Sequence, residues 1–84
     1  MQLTVTLTDG SVSTHRITPA IEVAFEREFK GGFAKIFRDN ERSSDLYWLA
    51  WECLRRNGTT VPPFGDKFLE TLEKVEVGDD DPNG

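Results

Sequence analysis

Hydrophobic and polar positions alternate strictly at the start of the chain. Leu3, Val5 and Leu7 are separated by Thr4 and Thr6 and flanked by Gln2 and Thr8, the two-residue period of a strand with one buried face. Asp9-Gly10 follows at once. This pair supplies the positive φ angles of a two-residue type I′ turn, so a second strand through Val12, Thr14 and Ile17 should return beside the first, making a hairpin over residues 2–17.

The period then changes to that of a helix. Thr18-Pro19 is a helix start, with a hydroxyl that can cap an amide and a proline at the first helical position. Ile21, Ala24, Phe25 and Phe29 form one apolar stripe that should run to about Lys30, with Glu26 and Lys30 spaced to pair and Gly31-Gly32 as the stop. Phe33, Ile36 and Phe37 suggest one or two further helical turns before Asp39-Asn40. Asn40, Ser43 or Ser44 can cap a longer helix from Asp45 to Arg56, which Asn57-Gly58 should end in a left-handed turn. After Val61-Pro62-Pro63, the residues Phe68, Leu69, Leu72 and Val75 lie at helical spacing and predict a last helix, with Phe64 stapled onto it.

These elements define an α+β fold, an N-terminal β-hairpin followed by three to four helical segments. At 84 residues the chain has room for one core. The expected domain covers residues 1–77. The remaining GDDDPNG stretch, residues 78–84, offers no apolar side chain to bury and is expected to be a disordered tail.

Charge sharpens this division. The net charge is −5, yet residues 1–69 hold nine acids and nine bases, so the whole excess lies in Glu70–Gly84, where Lys74 stands against six acids. A neutral body with an acidic end presents no broad basic face, which argues against a nucleic-acid partner. No apolar run approaches the ~18 residues of a membrane span, and the first residues lack the basic start and apolar core of a signal peptide. The single cysteine, Cys53, fits a reducing compartment, and the cytoplasm is the expected location.

The residues offer little material for catalysis. His15 and Cys53 stand alone on separate elements, so neither a metal cluster nor a nucleophile–base pair is expected. His15 is expected on the solvent face of the hairpin, and Cys53 within the core. Glu22, Glu26 and Glu28 read as a solvated helix face. Neither a P-loop nor GxGxxG occurs, and no cofactor is implied. The distinctive feature is Leu46-Tyr47-Trp48-Leu49-Ala50-Trp51. At 100° per residue Leu46, Leu49, Ala50 and Cys53 share one side. Trp51 lies at its edge, and Trp48 projects nearly opposite, in the sector of Glu52 and Arg55. Either both sides of this helix are covered or one side meets a partner. The second alternative makes Phe33, Phe37, Trp48 and Trp51 the candidate partner-binding residues.

Together, AFEREFKGGFAKIF, DLYWLAWECLRRNG and FGDKFLETLEKVEV with its acidic, proline-containing end resemble the short tail assembly chaperones of long-tailed phages, particularly those infecting actinobacteria. The resemblance covers about residues 1–80 and rests mainly on Tyr47–Trp51. It implies a non-catalytic protein of the host cell cytoplasm, absent from the finished virion, that binds the mostly helical tape measure protein and keeps it soluble during tail morphogenesis. It also implies a longer frameshifted form sharing this region. Spare apolar surface on so small a domain further suggests self-association. The alternative reading is an acidic inhibitor or DNA mimic that binds a host enzyme. It is weakened by the concentration of carboxylates at one end instead of along a folded surface.

Overall fold

The computed structural model describes residues 1–33 and 43–78. Strand β1 (Gln2–Leu7) is central, flanked by β2 (Val12–Arg16) and β3 (Leu72–Gly78) in an antiparallel sheet of order β2-β1-β3. Helices α1 (Pro19–Phe29), α2 (Ser43–Arg56) and the short α3 (Asp66–Leu69) complete the α+β fold among the described residues.

The hairpin forms as the alternation requires, with Leu3 opposite His15 and Val5 opposite Ser13. Its turn is not type I′. Gly10 N–H donates to the Leu7 carbonyl at 2.9 Å and Leu7 N–H to the Ser11 carbonyl at 2.9 Å, while Gly10 has φ 93° and Asp9 is not among the residues of positive φ. This is a three-residue loop with glycine at its left-handed position. Asp9 instead uses its carboxylate, whose Oδ1 accepts the Ser11 N–H at 2.8 Å. Hydrogen bonding from Ser11, first from its side chain and then from this N–H, holds the Asp9 pKa below the usual carboxylate value.

The expected last helix is the main departure. Only Asp66–Leu69 is helical. Thr71 stops it by donating both its N–H (2.9 Å) and its hydroxyl (2.6 Å) to the Phe68 carbonyl. From Leu72 the chain is a strand on β1, pairing Val75 with Val5 and Val77 with Leu3. Thr6 pairs with Lys74, but Leu7 pairs with Leu72, leaving Glu73 as the extra residue of a β-bulge. The bulge returns Leu72 to the face of Val75. A three-residue spacing that imitates a helix is therefore an interrupted strand. Gly78 is the last residue of β3, opposite Gln2, so the ordered sheet reaches one residue beyond the expected boundary at 77. The expected acidic tail, from residue 79 onward, lies outside the described residues.

The two long helices keep close to their predicted limits. Thr18 Oγ1 accepts the Ile21 N–H at 3.4 Å with Pro19 in the first turn, and α1 ends at Lys30, which itself takes the left-handed conformation (φ 57°). The Glu26 carboxylate accepts the Phe33 N–H at 2.9 Å, tying the turn after α1 back onto the helix. Helix α2 closes with a Schellman motif: Thr59 N–H to the Leu54 carbonyl (3.0 Å), Gly58 N–H to the Arg55 carbonyl (3.2 Å), and Gly58 at φ 88°. Leu3 and Val5 of the sheet, Ile21 and Phe25 of α1, Leu49, Ala50, Cys53 and Leu54 of α2, and Phe68 of α3 make one buried core.

Candidate functional site

Trp48 belongs to that core, with 7% of its surface exposed. The expectation that it projects as a contact residue is thus corrected. Asp45, Trp48 and Glu52 on one side of α2 are buried together with Leu49, Ala50 and Cys53 on the other, so neighbouring elements cover both sides. Phe25 and Phe29 of α1 approach the Trp48 ring edge-on, with centroids 6.0 and 5.7 Å away. Phe33 is half-buried and stands edge-on to Phe25 at 5.1 Å. Phe37 lies outside the described residues.

Trp51 is placed differently. It is half-buried, its Nε1–H donates to the Pro62 carbonyl at 2.8 Å, and the Arg55 guanidinium carbon lies 5.3 Å from its ring centroid. Phe64 meets it at 6.1 Å with an interplanar angle of 67° and is itself 37% exposed. The aromatic side chains form a continuous row, Phe33–Phe25–Phe29–Trp48–Trp51–Phe64–Phe68, with successive centroids between 4.3 and 6.1 Å. The row is buried at Phe25, Trp48 and Phe68. It reaches solvent at two places, the Phe29/Phe33 corner and the Trp51/Phe64 pair.

Phe64 was not foreseen as a contact residue. Its signal was the Val61-Pro62-Pro63-Phe64 run, in which two prolines stiffen the loop that brings a phenylalanine and the Pro62 carbonyl onto Trp51.

The acid–base groups of α2 serve its packing. Glu52 is 3% exposed and fully engaged: Oε1 accepts Arg55 Nε (3.0 Å) and Nη2 (2.6 Å), and Oε2 accepts Arg56 Nε (2.8 Å). Burial pushes its pKa up, but the hydrogen bonds and charges of Arg56 and Arg55 outweigh burial and leave it lowered. Burial, helped by the neighbouring Glu52 charge, pushes the Cys53 thiol up to about 11, far from a reactive thiolate. His15 does not face solvent as expected. Opposite Leu3 it shares the core-facing side of the sheet and is half-buried, with Nε2 2.8 Å from Ser13 Oγ. Burial lowers its pKa. Among the described residues no group of three or more His, Cys, Asp or Glu is placed to hold a metal ion, and no helix is long and apolar enough to cross a membrane.

Compared with family models, curated proteins and solved structures, the chain matches none.

Proposed function

We propose that this is a non-catalytic binding protein, a tail assembly chaperone that holds a tape measure protein soluble through a surface centred on Trp51 and Phe64. The observation that supports it best is the fixed, partly exposed pair itself. The Trp51 ring is pinned by the Pro62 carbonyl, flanked by Arg55 and met by Phe64. Aromatic and arginine side chains are the usual anchors of interfaces, and a pair already held in place loses little rotamer entropy on binding. A long helical partner with an apolar stripe suits such a ridge. Phe33 extends the same row at its other end, while Trp48 supports it from beneath and touches no partner.

The test is co-expression with the tape measure protein of the same genome, followed by pull-down and measurement of soluble partner. Solubilisation that requires this protein and is lost in Phe64→Ser, with the variant itself still folded, is the expected result. A partner equally insoluble with and without the wild-type protein would overturn the reading and leave the acidic inhibitor as the next candidate.

A further inference from the structure

The sheet leaves a second surface, separate from the aromatic row. Strand β2 stands at one end of the order β2-β1-β3, so no strand among the described residues pairs with its outer side. Leu7 N–H donates to Ser11 C=O and Ile17 N–H to Met1 C=O, both at 2.9 Å. The odd residues along β2 therefore turn their backbone groups toward β1, and Val12 and Thr14 present N–H and C=O outward. That side is open. A groove of about 390 Å³ runs alongside Thr14–Arg16, between the strand and helices α1 and α2, and Val12 is 63% exposed.

The two edges of the sheet are not alike. The β3 edge carries the bulge at Glu73 and the Lys74–Glu76 ion pair at 3.2 Å, features by which natural sheets discourage edge-to-edge pairing. The β2 edge from Val12 to His15 has no acid, lysine, arginine or proline, and its register with β1 is regular. This strand is also complementary to itself. Turned antiparallel about Thr14, residues Val12–Arg16 match those of a second copy over their full length: Thr14 faces Thr14, Ser13 faces His15 and Val12 faces Arg16. The charge of Arg16 thus stands opposite a neutral valine, and no like charges are opposed. At the dyad each Thr14 N–H meets the other Thr14 C=O, as outward-facing residues do in an antiparallel ladder. On the outer face the Thr4–Thr14 hydroxyl contact at 3.3 Å continues across the dyad as a threonine row.

We propose that the β2 edge is a contact between two copies of this chain, joined antiparallel through Thr14 into one continuous sheet of order β3-β1-β2-β2-β1-β3. One strand pair is a small interface, below the ~1,200 Å² typical of stable complexes, so the dimer should be reversible. The inference is independent of the tape measure reading, which uses Trp51 and Phe64.

Three measurements on the full chain test it. In sedimentation equilibrium the mass should rise from 9.5 kDa toward twice that value between about 10 μM and 1 mM. Under mild oxidation Thr14→Cys should cross-link to itself, because facing residues of a hydrogen-bonded pair have Cα atoms about 5.5 Å apart, within disulfide reach. Val77→Cys, on the other edge, should not. Thr14→Lys places like charges face to face and should weaken the dimer by about tenfold or more, with far-UV circular dichroism unchanged. A monomeric mass throughout would overturn the proposal. Faster cross-linking through Val77→Cys would overturn it too, moving the contact to β3. A dimer untouched by Thr14→Lys but lost in Phe64→Ser would do the same, assigning self-association to the aromatic ridge.

Discussion

Replacing Trp48 with alanine separates the core from the surface most sharply. The side chain is 93% removed from solvent and lies against Phe25, Phe29 and Trp51. Truncating a buried aromatic to alanine costs about 3–5 kcal/mol, combining lost transfer free energy with the cavity left behind. At ~0.05–0.15 kcal/mol per residue, a chain of 84 residues has about 4–13 kcal/mol of stability in total. The variant should therefore lose about a quarter or more of its stability, and its Tm should fall by more than about 10 °C, at about 4–8 °C per kcal/mol for a domain of this size. Far-UV circular dichroism through urea and thermal unfolding reads both quantities. Trp51→Ala is the control: its ring is half-exposed, so it should cost roughly half as much despite losing the Pro62 hydrogen bond and the Arg55 contact. A loss under about 1 kcal/mol for Trp48→Ala would refute the placement of this residue in the core. It would also return Trp48 to the list of contact residues.

Glu52 has a folded pKa below its unfolded value, so its stabilising contribution is complete above about pH 4.5 and is lost as pH falls through the depressed folded value. Glu52→Gln should flatten the acid limb of a stability–pH profile measured by urea unfolding, relative to wild type. Cys53, 2% exposed with its thiol pushed up to about 11, should resist a thiol reagent at pH 8 in native protein and react promptly once urea is added. Native-state modification at the rate of a free thiol would contradict its burial. Gly58→Ala should destabilise by about 1 kcal/mol. The added methyl meets no atom within 4 Å, so the cost is the left-handed backbone alone, and Gly58→Asn should recover part of it in thermal unfolding.

Local rules carried well where one residue type serves one purpose. Thr18-Pro19 starts α1 and Asn57-Gly58 ends α2 because hydroxyl capping, a fixed proline φ and a left-handed glycine each act within a few residues of chain. Leu72 and Val75 misled because a bulge at Glu73 turns a two-residue period into a three-residue one, and the pairing with β1 that decides the matter comes from the far end of the chain. The strand alternation of Val75 and Val77 was the competing signal. Trp48 could not be placed by its own helix, since its sector also holds Glu52. That carboxylate is buried only because Arg55 and Arg56, three and four residues on, occupy both its oxygens. Of the candidate surface, Trp51 was legible as an aromatic at the edge of its helix's apolar side and Phe33 as an aromatic just past the Gly31-Gly32 stop, and both are half-buried. Phe64 was missed because its exposure depends on how a proline loop lies over α2.

The position of β1 has a consequence for how the molecule comes into being. Among the described residues the strand nearest the start of the chain, β1, is the middle of the sheet, and its second neighbour, β3, is the element furthest along the chain. Throughout synthesis the nascent hairpin therefore carries one bare edge, with Leu3 and Val5 awaiting Val77 and Val75. The closing step joins segments about seventy residues apart, a long loop whose entropy must be overcome before its contacts repay it. Completion of the sheet thus waits on β3, and the loss of that strand would remove one side of the central strand.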